Sequence, residues 1–200
     1  VNCIKILGVL FSQDMSWNAH IDYVQAKLSK SVGLITKFKT VLPTHIKLTI
    51  YKSSVCSHLN YCNLIWGTTT KTNLTKLHLL QKKAVRAISS VPSLHPTESL
   101  FKALNVKTIQ KIYAFKLLTT YRRAVQQNNV HYIHLANLKH RIILRDLRQN
   151  QPWVIRPSRT NYLDQTLHFN LSTILNTLYK KSINLEALLH KGLVNFIFSL

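Results

Sequence analysis

Apolar residues in this chain recur mostly at three- and four-residue intervals, the spacing that gathers one face of an α-helix. Before that pattern sets in, Cys3 to Phe11 form a short apolar run with a glycine inside it, bounded by Ser12-Gln13-Asp14. The run reads as a strand leading into a turn. Beyond Ser16, the positions Ile21, Val24, Leu28, Ile35 and Leu42 fall in one narrow arc and predict a helix from Trp17 to Val41, ended by Pro43. Thr44 is placed to cap a second helix reaching Trp66, with Gly67 as its stop signal. A third helix is predicted from Asn73 to Ser89. Leu74, Leu77, Leu80, Gln81, Ala84, Val85 and Ile88 share one side of it, and Lys71, Lys76, Lys82, Lys83 and Arg86 the other.

Pro92 and Pro96 punctuate the next connection, after which Thr97-Glu98 starts a short helix to Leu104 and Thr108 a longer one to Gln126. In the longer helix Ile109, Ile112, Tyr113, Phe115, Leu117, Leu118, Tyr121 and Val125 spread around most of the circumference, so it is expected to be central and buried. After Asn128-Asn129 the character changes. Five of the chain's eight arginines lie between Arg141 and Arg159, beside Pro152 and Pro157, and mark a boundary or an extended connector. A strand-like Thr166 to Phe169, a helix from Leu171 to Tyr179 and another from Leu185 to Phe198 complete the pattern.

Charge changes this picture of an ordinary helical protein. The chain has 27 Lys plus Arg against 6 Asp plus Glu, a formal net charge of +21, which repels itself unless a polyanion is near. No acid occurs between Asp22 and Glu98, while eleven basic residues lie from Lys27 to Arg86, so the folded surface there is expected to be positive. Membrane insertion is the competing use of positive charge, but no apolar run approaches the roughly 18 residues needed to span a bilayer. The chain opens at Val1 inside an apolar segment and has no secretory signal pattern, so it reads as part of a longer protein. Cys3, Cys56 and Cys62 form an odd set without disulfide spacing, which suits a reducing intracellular compartment, nuclear or cytoplasmic.

The candidate chemistry is binding rather than catalysis. Metal-assisted phosphoryl or nucleotidyl transfer needs clustered carboxylates, and Asp14, Asp22, Glu98, Asp146, Asp164 and Glu186 include no near-adjacent pair. No histidine pair has zinc-protease spacing, no serine sits in a nucleophile elbow, and the four glycines are dispersed. No catalytic or metal-ligating residue is therefore assigned. Lys76, Lys82, Lys83 and Arg86 on the third helix can form a rail for phosphates, with a solvated helix face as the plain alternative. Lys30 and Lys37, a heptad apart, offer a weaker version on the first helix. Arg145, Arg148, Arg156 and Arg159, with Trp153 and Tyr162, allow phosphate contact and base stacking, while packing of Trp153 against the helices is the simpler alternative.

Several segments in order resemble a known family. Lys5-Ile6-Leu7-Gly8-Val9, Leu10-Phe11 and Ser16-Trp17-Asn18-Ala19-His20-Ile21 are similar to the stretch after the catalytic palm motifs of non-LTR (LINE-type) retrotransposon reverse transcriptases. The resemblance continues through Leu59-Asn60-Tyr61-Cys62, Ile65-Trp66-Gly67, Leu80-Gln81-Lys82-Lys83-Ala84-Val85-Arg86, Arg145-Asp146-Leu147-Arg148, Arg159-Thr160-Asn161-Tyr162 and Leu175-Asn176. It implies a mainly α fold: a short β-hairpin, a helical thumb-like bundle, and a basic, partly irregular C-terminal region with two helices. Residues 1–15 would be the end of the palm with a primer-grip-like hairpin at Leu7, Gly8 and Val9, residues 16–128 the thumb-like domain, and residues 129–200 the basic region. The resemblance further implies an RNA or DNA template-primer as partner, an upstream palm domain carrying the catalytic aspartates, and Mg²⁺ for the intact polymerase but no cofactor in this chain. Leu163 departs from the family, which commonly has glycine after the tyrosine.

Overall fold

A computed structural model describes residues 3–141, 151–155, 161–181 and 183. The fold is mainly α. At its start, β1 (Cys3–Ile6) and β2 (Val9–Ser12) form an antiparallel hairpin with Ile6 opposite Val9. The apolar run read as one strand is thus two, folded at Leu7-Gly8. Both turn residues have positive φ, 46° at Leu7 and 82° at Gly8, the geometry of a two-residue hairpin turn whose twist matches the strands. Glycine adopts it freely. Leu7 does not, and its carbonyl is held by the Tyr61 hydroxyl.

The chain divides into two compact units, Val1–Tyr113 and Ala114–Leu200. The first unit is built around α1 (Asn18–Lys37) and α5 (Lys71–Ile88), which pack along their lengths. They run in the same direction: Asn73 donates to Asn18 at one end (2.7 Å), Lys76 meets Asp22 (3.1 Å), and Ser90 donates to the Lys39 carbonyl just beyond the other end (3.0 Å). Parallel neighbours need a return segment, and the residues between them supply it. That segment is α2 (Thr44–Ile50), a π-helical stretch (Tyr51–Cys56), α3 (Ser57–Asn60) and α4 (Asn63–Trp66). The single helix expected from Thr44 to Trp66 is therefore interrupted. Cys62, at φ 47°, turns the chain between α3 and α4, and the Trp66 indole N–H closes the turn on the Tyr61 carbonyl at 2.8 Å.

Three predicted helix signals work differently from expectation. Pro43, not Thr44, is the cap position of α2, and Trp17, expected to begin the first helix, is instead its cap residue with a left-handed backbone. Gly67 has φ −68°, so no left-handed stop needs it. Space does: a Cβ there would lie 2.4 Å from the Asn63 carbonyl oxygen and 2.7 Å from Tyr113 Cδ2. The third predicted helix holds nearly as read. α5 begins at Lys71, its N-terminus capped by the Thr70 hydroxyl accepting from the Asn73 amide.

Ile21, Val24, Leu28, Val32 and Ile35 of α1 and Leu77, Ala84, Val85 and Ile88 of α5 are buried in one core with Tyr51, Val55, Leu59 and Trp66. Val9 joins it, and Phe11 packs its ring edge on Trp17 at 5.3 Å. Gln81 sits in this apolar wall as a hub. Its amide donates to the Tyr51 hydroxyl (3.0 Å) and the Lys107 carbonyl (3.2 Å) and accepts from the Ile109 amide (2.8 Å), so its polar atoms are satisfied. α6 (Glu98–Ala103) follows, then α7 (Ile109–Gln126), in which only Gln110, Arg123 and Gln126 are exposed.

In the second unit α8 (Val130–Ala136) occupies a stretch for which the sequence predicted no element, capped by Asn129 accepting from the Tyr132 amide at 3.1 Å. α9 (Asn161–Asp164) makes one helical turn through Leu163, where the family's glycine was missing. α10 (Leu167–Lys180) absorbs the segment read as a strand at Thr166 to Phe169. Thr166 is its cap, accepting from the Phe169 amide, and buried Leu171, Leu175 and Leu178 at helical spacing decide the period. α10 packs on α8, and its Asn176 side chain holds the Trp153 backbone through both N–H (3.0 Å) and C=O (2.9 Å).

Candidate nucleic-acid interface

The first helix carries the clearest cationic face. Lys27, Lys30 and Lys37 are exposed and lie within an arc of roughly 80° at 100° per residue, along ~15 Å of helix. The apolar arc that anchors α1 against α5 lies on its other side. A stripe of that length passes about four phosphates of one strand, at 3.4 Å per phosphate along a duplex axis. No acid follows Asp22 on this helix.

On α5 the structure narrows the predicted rail. Lys83 is exposed and Lys82 half-buried. Lys76, however, pairs with Asp22 at 3.1 Å, and the Arg86 Nε–H donates to the His95 carbonyl at 2.8 Å, holding the loop before α6. Arg86 is engaged within the fold and Lys76 has its charge balanced by Asp22 at the surface, a consequence of side chains on neighbouring elements that no helical wheel displays. Lys82 also lies beside His78, whose ring is kept neutral by burial first and by that lysine's charge second.

Lys47 departs furthest from the expected uniformly positive surface. It is 1% exposed, and its ammonium donates to the Lys39 carbonyl (2.8 Å), the Ser90 hydroxyl (2.7 Å) and the Ala87 carbonyl (3.3 Å). It ties the end of α1 to the end of α5. Burial pushes its pKa below the ordinary lysine value.

The hairpin residues singled out by resemblance divide. Leu7 is 84% exposed at the tip, Gly8 is partly covered, and Val9 is 2% exposed, inside the core. Val9 positions the hairpin and offers no surface to a ligand. The hairpin is fastened to α1 by the Leu10 amide donating to His20 Nδ1 at 3.3 Å. That bond fixes His20 as the neutral tautomer with its proton on Nε2, and burial lowers its pKa.

Arg145, Arg148, Arg156 and Arg159 lie outside the described residues. Of the aromatic residues beside them, Trp153 meets the His140 ring edge-on at 5.4 Å and Tyr162 is 61% exposed. Among the described residues no three His, Cys, Asp or Glu side chains gather where they could hold a metal ion. Asp22 is taken up by Lys76, and Asp14 accepts from the Ser16 amide. These residues do not fit a two-metal centre. No described helix is long and apolar enough to cross a membrane.

Sequence comparison adds the decisive observation. Over 136 residues, 66% of this chain, it is 28% identical to the "RNA-directed DNA polymerase from mobile element jockey" of Drosophila melanogaster. The chain resembles mobile-element RNA-directed DNA polymerases. It is 31% identical over 111 residues to the protein of the same description from Drosophila funebris, and 26% identical over 112 residues to the "Probable RNA-directed DNA polymerase from transposon X-element" of Drosophila melanogaster. These matches cover 52% and 54% of the chain. The resemblance to non-LTR retrotransposon reverse transcriptases read from the motifs is borne out by these similarities. The matched stretches span 12–14% of the relatives' lengths. No protein-family model matches the chain, and no solved structure does.

The sequence overlooked Lys27 and Lys5. Lys27 was legible, since it falls on the same stripe as Lys30 and Lys37. Lys5 was not, because its approach to α1 depends on the hairpin's docking.

Proposed function

We propose that this chain is a noncatalytic part of a retrotransposon RNA-directed DNA polymerase that holds template-primer nucleic acid by its phosphate backbone. The observation that carries the reading is the exposed stripe of Lys27, Lys30 and Lys37 on α1, with no acid on that helix beyond Asp22. The relatives' descriptions supply the chemical context, a polymerase that works on an RNA template. Lysines at these spacings displace condensed counterions without reading bases. Polymerization itself, with its Mg²⁺, is assigned to an upstream palm domain. The free thiols of Cys3, Cys56 and Cys62 fit a reducing, intracellular site of action.

The test is binding of a labelled primer-template duplex across salt concentrations. Lys30→Ala with Lys37→Ala should weaken binding evenly for unrelated sequences and make the salt dependence shallower by about two phosphate contacts. Wild-type affinity indifferent to salt would refute the proposal.

A second reading is favoured by the hairpin. Ile4, Ile6 and Leu7 are 58%, 52% and 84% exposed, an apolar strand surface that natural proteins usually cover. In this reading the chain is a structural helical module whose hairpin packs on the palm domain, its charge serving solubility. A well-behaved monomer of the isolated chain would count against it.

A further inference from the structure

β1 and α1 bring two lysines to one aromatic ring. The Lys5 ammonium lies 5.3 Å from the centroid of the Tyr23 ring and the Lys27 ammonium 5.4 Å from it. Tyr23 and Lys27 are one turn apart on α1, so their proximity is local. Lys5 comes from the hairpin and is placed by tertiary structure: Val9 is buried in the core, Phe11 packs on Trp17, and the Leu10 amide is bound to His20.

Two like charges near one ring repel, and among the described residues neither lysine is paired with an acid. Asp22, the nearest acid in sequence, is held by Lys76. His20, whose ring stacks 6.3 Å from Tyr23, donates no charge, since its Nδ1 already accepts the Leu10 amide. The electron-rich ring face draws both ammonium groups in and leaves their remaining N–H donors to solvent, both lysines being exposed. Two ammonium groups within about 11 Å of each other, near the Debye length at 0.1 M salt, act on a single strand's phosphates together. At 100° per residue Tyr23 and Lys27 fall on the same side of α1 as Lys30 and Lys37.

We infer that Lys5 and Lys27, ordered by Tyr23, form a phosphate-binding site for the nucleic-acid backbone at the joint between the hairpin and the first helix. The inference rests on the nucleic-acid reading above and deepens it by naming the anchor from which a strand continues along Lys30 and Lys37. Because the site is shared by two elements, a bound strand also fixes the hairpin against α1.

The test uses the full 200-residue chain and a fluorescent primer-template duplex titrated at several salt concentrations. Lys5→Gln with Lys27→Gln should lower affinity about tenfold and reduce the salt slope by between one and two. Lys39→Gln with Lys102→Gln, which removes equal charge from exposed positions on other segments, should cost less than about threefold. Tyr23→Leu should weaken binding at unchanged net charge, and Tyr23→Phe should keep wild-type affinity. All the substituted lysines are exposed, so their variants fold even if Tyr23→Leu does not. Equal losses from the two lysine pairs, or a salt slope unmoved by the Lys5/Lys27 pair, overturn the site while leaving general backbone binding standing. Failure of the wild-type chain to bind duplex at all overturns the underlying reading instead.

Discussion

Lys47→Ala separates the lysine that builds the fold from those that face solvent. The substitution removes three stem methylenes, about 2.4 kcal/mol at ~0.8 kcal/mol each when buried, and three hydrogen bonds from a charged donor, of which one typically contributes roughly 1.5–3 kcal/mol. Two effects offset this loss. Returning the ammonium to water in the unfolded state is no longer a difference between states, since a buried charge is costly in itself. The Lys39 carbonyl also keeps the Ser90 hydroxyl as donor. A net destabilization of about 2–4 kcal/mol is expected, with the Ala87 carbonyl keeping only the Ser90 amide as donor among the described residues. Lys47→Met, which restores the stem without the donors, should lose about half as much. Lys37→Ala, at an exposed position, should stay within about 0.5 kcal/mol of wild type. Urea unfolding followed by tryptophan fluorescence is a suitable assay, because Trp17 and Trp66 are buried in the same unit. If Lys47→Ala unfolds at the wild-type midpoint and instead weakens duplex binding as Lys37→Ala does, the assignment of Lys47 to the core is refuted.

Acidification should destabilize the first unit. His20 and His78 both have pKa values lowered by burial from 6.5, so the unfolded chain takes up protons first and stability falls as pH drops below about 6.5. The urea midpoint at pH 5.5 should be lower than at pH 7.5, and His20→Asn, which keeps an acceptor near the Leu10 amide, should flatten the difference. An unchanged pH dependence in that variant would remove His20 from the explanation. Gly67→Ala should cost at least about 1–3 kcal/mol, because the new methyl meets the Asn63 backbone, which cannot move aside, as well as the Tyr113 ring. Melting of that variant within a degree of wild type would show that the α4 turn relaxes freely.

The periodic helices were legible from sequence because amphipathic spacing is a local property. The core of α1 and the amphipathic face of α5 follow from residues within a few turns of one another, whereas the Thr70 cap, ahead of the expected start of α5 at Asn73, was not read. So did the excess of positive charge and the resemblance to mobile-element polymerases, since both reside in residue identities and their order. The elements misread were those in which short-range signals were ambiguous. Thr166 to Phe169 is too short to distinguish strand from helix start without α10's packing face, and the left-handed backbone at Cys62 breaks a segment whose residues favour continuing.

Which lysines are available for a ligand was decided only by tertiary structure. Eleven basic residues stand in the stretch from Lys27 to Arg86, yet Lys47 is buried across the ends of α1 and α5, Lys76 is paired with Asp22, and Arg86 binds the His95 carbonyl. Each of these partners is distant in sequence or lies on another element. The same is true of Lys5, brought to Tyr23 by a hairpin whose docking depends on Val9, Phe11 and His20. Sequence sets how much charge the chain carries. Long-range packing decides where that charge meets solvent, because a lysine's reach of several ångströms spans neighbouring elements whose adjacency no local pattern encodes.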